Sequence, residues 1–170
     1  TNFAGKINAS PFNSKILLEG PLKKYAPGKS SSSYILSYKN SYLNRSAPIV
    51  YPYVNDGVLP FSFSDLYAKA SFVGSEGSNV SVYGFNYRDN VDFPQSTSYS
   101  WVSNGLGTKF LLLPDNSKTI IDGSITYSDY YIEQLEQDNK PRRSGINGFN
   151  VNLNFTNFQR EADELKYGIE

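Results

Sequence analysis

The stretch "GFNVNLNFTNF", residues 148–158, decides the fold class because its apolar and polar residues alternate with period two. Phe149, Val151, Leu153 and Phe155 share one face of an extended strand, and Asn or Thr side chains share the other. Asn is a poor strand former, so the apolar face must carry the strand. The stretch predicts an amphipathic strand with one face packed and the other in water or against a partner.

The period changes directly after this strand. The residues "TNFQ", 156–159, fit a capping box, in which a Thr hydroxyl and a Gln side chain each satisfy a free backbone N–H. Apolar residues then recur at the spacing of one helical stripe, at Phe158, Ala162, Leu165 and Ile169. We therefore predict an amphipathic C-terminal helix over about residues 157–169, which would cover its own sheet or dock on a neighbour.

The rest of the chain from residue 49 shows short alternating runs separated by turn signals, about eight to ten strands in all. Asp122-Gly123 fits the tight turn of a hairpin. Strands at this spacing, without intervening helices, are typical of a sandwich or barrel. We predict an all-β fold, a sandwich or partly open barrel with the C-terminal helix across one end.

Residues 1–48 differ from the rest because Pro, Gly and Ser interrupt the pattern repeatedly. Only short strand-like fragments occur, at residues 16–18 and 34–36. We predict an extended, irregular N-terminal arm over 1–48, followed by a β domain over 49–170. A flexible tail is the alternative, although the apolar residues Phe3, Ile7 and Phe12 favour packing.

The composition excludes several chemistries. The 170 residues carry a formal net charge of zero and contain no Cys and no His. Thiolate nucleophiles, zinc–sulfur sites and the commonest general base are therefore missing. A nucleic-acid binder would need an excess of Lys and Arg, and no apolar run reaches the length of a membrane-spanning helix. We expect no enzyme, no cofactor, no metal, no nucleic-acid partner and no membrane span; whether a leader preceded Thr1 is left open.

Acidic residues offer two candidate sites with simpler interpretations. The side chains in "YRDNVDF", 87–93, could ligate Ca²⁺, but they lack the spacing of a calcium loop, and a solvated turn explains them. Glu133, Glu136 and Asp138 lie near one another in sequence and are the candidates for the acid pair of a glycosidase. Such a pair is defined by its separation in space, so the sequence predicts no catalytic residues.

Five segments together resemble the β-rich tail proteins of tailed bacteriophages, of the distal-tail and tail-tip type, over roughly residues 100–170. They are "TKFLLLP" (108–114), "ITYSDYYIEQ" (125–134), "GIN" (145–147), "LNFTN" (153–157) and "EADEL" (161–165). The resemblance implies a structural subunit of the virion that assembles with copies of itself and with other particle proteins. It implies no catalysis and no cofactor.

The functional prediction is a non-enzymatic structural subunit of a virus particle, located in the virion, with the N-terminal arm locking adjacent subunits. The predicted assembly interface consists of Phe149, Val151, Leu153, Phe155, Phe158, Ala162, Leu165 and Ile169. The alternative is a secreted or cell-surface β-sandwich that binds glycans through an aromatic surface. That surface would comprise Tyr99, Trp101, Tyr130 and Tyr131, for which core and cross-strand packing is the simpler interpretation. A capsid decoration protein is the third possibility.

Overall fold

The computed structural model describes residues 2–54, 57, 59–93, 96–138, 140–160 and 163–170. The all-β class is confirmed, because strands dominate the described residues and one short helix accompanies them. The elements, in chain order, are β1 Ala4–Ala9, β2 Asn13–Lys23, β3 Ser31–Ser41, α1 Leu43–Val50, β4 Phe61–Val73, β5 Asn79–Asp92, β6 Ser98–Leu112, β7 Thr119–Leu135, β8 Pro141–Arg160 and β9 Asp163–Ile169.

The strands form one nine-stranded antiparallel sheet in which the spatial order equals the chain order. Every strand pairs with the strand that follows it along the chain. Antiparallel neighbours need only short connections, so this meander requires no crossover. The sheet is open, with β1 and β9 as its two ends. The finer prediction of a sandwich or partly open barrel is not confirmed.

The sheet is a single layer and hides little apolar surface. Among the described residues, the buried hydrophobic side chains are those of Ala47 and Val102. The chain exposes 11734 Å². A compact protein of 19.0 kDa exposes about 8,400 Å². About 3,300 Å² that a compact fold would remove from water therefore remains exposed.

The connection between β3 and β4 contains α1, the short helix. Ala47 of α1 is 1% exposed and packs at this end of the sheet. Tyr51, which follows the helix, stacks on Phe12 from the turn between β1 and β2, with ring centroids 5.8 Å apart. Gly57 lies at φ 77°, where an L side chain is strained, and an added Cβ would meet Pro48 Cα at 2.6 Å. These contacts pack the β3–β4 connection against the sheet.

The predicted C-terminal helix is wrong. β8 continues to Arg160, and Asp163–Ile169 returns along it as β9. Leu165 and Ile169 are four residues apart, a spacing that suits a helical stripe and a strand face equally. Tyr167 decides between them, because it makes the apolar residues alternate and its ring stacks on Phe155 at 5.2 Å. Pairing with β9 also satisfies the outer backbone groups of β8 along their shared ladder.

The predicted irregular arm is also wrong for the described residues from 2 to 48. β1, β2 and β3 belong to the same sheet as the other strands, and β3 pairs with β4 across the predicted boundary. Cross-strand apolar pairs such as Ile7 with Ile16 hold these strands in register. The Pro and Gly residues that suggested irregularity lie at a register shift between Pro21 and Lys23 and at the turn around Gly28, whose φ is 68°.

The predicted hairpin turn at Asp122-Gly123 is wrong as well, because β7 runs without interruption from Thr119 to Leu135. Gly123 faces Phe110 of β6, and an added Cβ would lie 2.7 Å from Phe110 Cζ. The glycine therefore makes room for an aromatic ring. The turn before β7 lies instead at residues 114–117, where Asn116 has φ 56°.

Candidate functional site

The two faces of the sheet differ in chemistry, and the strand register shows which side chains share each face. Leu106, Tyr127 and Phe149 lie side by side on β6, β7 and β8. We call the face that carries them the apolar face and the opposite one the polar face. The apolar side chains of the apolar face form a continuous stretch, named here the apolar band: Ile7, Ile16, Leu18, Tyr34, Leu36, Tyr38, Leu66, Ala68, Ala70, Phe72, Val80, Val82, Leu106, Phe110, Leu112, Ile121, Ile125, Tyr127, Phe149, Val151, Leu153, Phe155, Leu165, Tyr167 and Ile169.

The apolar band is exposed from one end of the sheet to the other. Ile7 on β1 is 73% exposed, Leu106 on β6 is 61% exposed and Ile169 on β9 is 66% exposed. Single exposed hydrophobic residues are common on protein surfaces, but a contiguous apolar patch of this extent marks an interaction surface.

Polar rows bound the band on β5 to β8. At one end, Asn86, Asn104, Asp129 and Asn147 lie next to one another across these four strands, and the Asn86 amide donates to Asn104 Oδ1. At the other end of β7 and β8, Asn157 Nδ2 donates to Thr119 Oγ1 at 3.0 Å. Between these rows β7 and β8 each place nine residues, 120–128 and 148–156, and the band side chains among them run from Ile121 to Tyr127 and from Phe149 to Phe155, about 20 Å along each strand at 3.4 Å per residue.

Charge is sorted between the faces. The paired strands place these charged side chains on the apolar face, all outside the band: Lys23, Arg88, Asp92, Asp129, Glu133 and Arg143. At the height of the band, the polar face carries Lys6, Glu19, Lys69, Lys109, Asp122 and Lys166, and Lys15, Lys39 and Asp65 lie one residue beyond its end. The band itself is therefore free of charge in the described strands, whereas the surface behind it is not.

The polar face has its own hydrogen bonds. Asn154 Nδ2 donates to Asp122 Oδ2 at 3.1 Å and to Asn152 Oδ1 at 2.8 Å. On β9, a hydrogen bond and the negative charge of Glu164 raise the pKa of the exposed Lys166 above its ordinary value. The Asn residues of "GFNVNLNFTNF" therefore contribute polar contacts on the side opposite the band.

An aromatic cleft of about 500 Å³ lies on the polar face, between β4, β5, β6 and β7. Phe63, Asp89 and Trp101 lie in one row across β4, β5 and β6. Tyr99 stacks on Trp101, with ring centroids 5.7 Å apart and planes 18° apart. The lining also includes Phe61 and Tyr130. The cleft thus combines open aromatic faces with one carboxylate.

The predicted aromatic surface is brought together in part. Tyr99, Trp101 and Tyr130 share the polar face, whereas Tyr131 points to the apolar face, where the Arg143 guanidinium lies 3.6 Å from its ring centroid. Tyr130 and Tyr131 are adjacent in a strand, so their side chains must point to opposite faces. The sequence interpretation missed the β4 and β5 contributions to the cleft, because only the register shows which strands lie beside Trp101.

The predicted assembly residues are also brought together in part. Six of them lie in the apolar band on β8 and β9: Phe149, Val151, Leu153, Phe155, Leu165 and Ile169. Phe158 belongs to the polar face, because it lies an odd number of residues from Phe155. Ala162 lies outside the described residues. The remaining residues of the band, on β1 to β7 together with Tyr167 on β9, were missed as members of one surface.

Two further features are absent from the described residues. No group of three or more Asp and Glu side chains there is placed to hold a metal ion. No helix in the described part of the chain is long and apolar enough to cross a membrane.

Comparison of the chain with known protein families, with curated proteins and with solved structures gave no match. The geometry of the two faces is therefore what supports a function.

Proposed function

We propose that this chain is a non-enzymatic structural subunit that works by packing its apolar band against a covering surface. The observation that carries the proposal is the exposed band, together with the few buried hydrophobic side chains, Ala47 and Val102, among the described residues. Each square ångström of apolar surface removed from water contributes about 25 cal/mol. A cover over the band would supply the burial that other proteins obtain from a second layer.

The resemblance to bacteriophage tail proteins supports placing this subunit in a virion. In that setting, copies of the chain and other particle proteins would cover the band, and head-to-tail contacts between copies would close a ring. A capsid decoration protein would use the same contacts elsewhere on the particle. This placement comes from the resemblance, and the structural role comes from the exposed band.

Light scattering across a concentration series tests the structural role. We expect a discrete mass of several subunits that survives dilution and moderate salt, because apolar contacts are not screened by ions. Leu106→Asp on the band should reduce the mass to that of one chain. Lys109→Asp, on the same strand but on the polar face, is the matched control and should leave the assembly intact. A folded monomer at every concentration, unchanged by lipid and by both substitutions, would contradict the proposal.

A glycan-binding module at the cell surface or outside the cell is the second candidate, and the aromatic cleft favours it. The half-buried Trp101 ring, with the exposed Phe61 and Tyr130 in the same cleft, can stack on the apolar face of a sugar ring, and the Asp89 carboxylate can accept hydrogen bonds from the sugar hydroxyl groups. A glycan array should show binding that Trp101→Ala removes. Tyr131→Ala on the opposite face is the control and should retain binding, whereas an array without any bound sugar would end this candidate.

A further inference from the structure

We propose that the apolar band is covered by the hydrocarbon of a lipid bilayer. This inference rests on the proposed structural function and names the chemistry of the cover. It replaces the protein neighbours that a virus particle would supply with acyl chains. The reasons are the height of the band, its oblique course across the sheet, its freedom from charge and the hydrophilic side chains of the opposite face.

The height of the band is the first reason. On β7 and β8, nine residues lie between the polar rows, at 120–128 and 148–156, and a strand that crosses a membrane at a tilt of about 45° needs about 9–11 residues. Apolar bands of sheets embedded in membranes are about 25 Å tall. A hydrocarbon layer of fixed thickness requires the same apolar height on every strand that crosses it, whereas contact with a protein partner does not.

The course of the band across the sheet is the second reason. One row of paired residues lies inside the band at Leu36 and Ala68, and the same row forms its edge at Tyr127 and Phe149. The band therefore runs obliquely to the strands. Strands that cross a flat apolar layer at a tilt produce this offset, and such strands are tilted in membranes.

The absence of charge separates lipid from a protein partner. Protein interfaces carry about one hydrogen bond per 100–200 Å² and favour Arg. No charged side chain of the described strands lies within the band, although it reaches from β1 to β9. Hydrocarbon offers no partner to a charged group, so a surface that faces it carries no charge.

The polar face shows that only one side of the sheet meets hydrocarbon. Lys6, Lys69, Lys109 and Lys166 lie behind the band at the same height. Placing an ammonium group in hydrocarbon is costly, so this side faces water or polar protein groups. Unpaired backbone groups are also costly in hydrocarbon, so the outer edges of β1 and β9 would pair with strands of neighbouring copies.

Single cysteines test the inference, because the sequence contains none. Ile125→Cys and Phe149→Cys place a thiol on the band, and Ser128→Cys and Asn150→Cys place one on the polar face of the same two strands. Each full-length variant is labelled with bimane and folded in the presence of phosphatidylcholine vesicles. The fluorescence is compared between vesicles with ordinary and with brominated acyl chains.

We expect brominated chains to quench both band labels at least twofold more than both polar-face labels. The use of two sites on each face keeps the test valid if one variant fails to fold. Band labels that are shielded from water and cross-link between copies, without quenching by brominated chains, would overturn the lipid inference and leave the structural function standing. Labels that stay in water on both faces of a folded chain would overturn both.

Discussion

Replacing Ile125 by Lys tests whether the apolar band is covered at all. Ile125 lies near the middle of the band on β7 and is 41% exposed. Burying an Ile side chain fully contributes about 1.5–3 kcal/mol, so covering this remaining fraction contributes about 0.6–1.2 kcal/mol. A Lys in a covered band loses that contribution and also places a charge in an apolar medium. The total cost for Lys near the centre of a membrane-embedded band is about 2–4 kcal/mol.

Ser128→Lys is the matched control, because Ser128 is an exposed residue of the same strand on the polar face. We expect it to change the free energy of unfolding by no more than about 0.5 kcal/mol. Urea unfolding of both variants, in vesicles or in the protein assembly, can be followed by the emission of Trp101, the single tryptophan. A change below about 0.5 kcal/mol for Ile125→Lys would refute the reasoning, since a band in contact with water tolerates Lys.

Three further predictions concern the sheet itself. Gly123→Val should lower the free energy of unfolding by about 1–3 kcal/mol, because the added Cβ would lie 2.7 Å from Phe110 Cζ and 2.5 Å from the carbonyl oxygen of Asn152. Gly148→Ala is the control, since an added Cβ there meets no atom within 4 Å, and it should change little in the same denaturation assay. Val102→Ala should cost about 2 kcal/mol, since Val102 is 5% exposed and loses two buried methyl groups; an equal loss for the exposed Val73→Ala in thermal unfolding would argue against this. Deleting residues 163–170 should turn the protein from discrete species into sedimenting aggregates, because the long strand β8 would become an unprotected edge; an unchanged sedimentation profile would contradict it.

The alternation of apolar and polar residues predicted a strand correctly where the residues fitted only a period of two. In residues 148–158 the alternation of Asn with Phe, Val and Leu admits no helix, and β8 is a strand with those two faces. The end of the chain admits two periods, because residues four apart share a face in a helix and in a strand. The helical interpretation failed there because it left out Tyr167, which alternates with Leu165 and Ile169, and the backbone groups that β8 offers to β9.

The candidate site was predictable only in the part that lies within one strand. Phe149, Val151, Leu153 and Phe155 could be assigned to one surface from their spacing. The neighbours of Trp101 could not, because Phe63 and Asp89 reach it through the register of two other strands. Gly123 shows the same limit, since its apparent turn signal is the space that Phe110 occupies across the sheet.

The amino-acid sequence by itself determined the all-β class and the two-faced strand at residues 148–158, because side-chain alternation is a local property of an extended backbone. The tertiary structure alone decided that the strands form one layer, that residues before 49 join it and that the apolar side chains line up as one band. These features depend on which strand pairs with which and in what register, and a one-residue change of register would move every side chain to the other face.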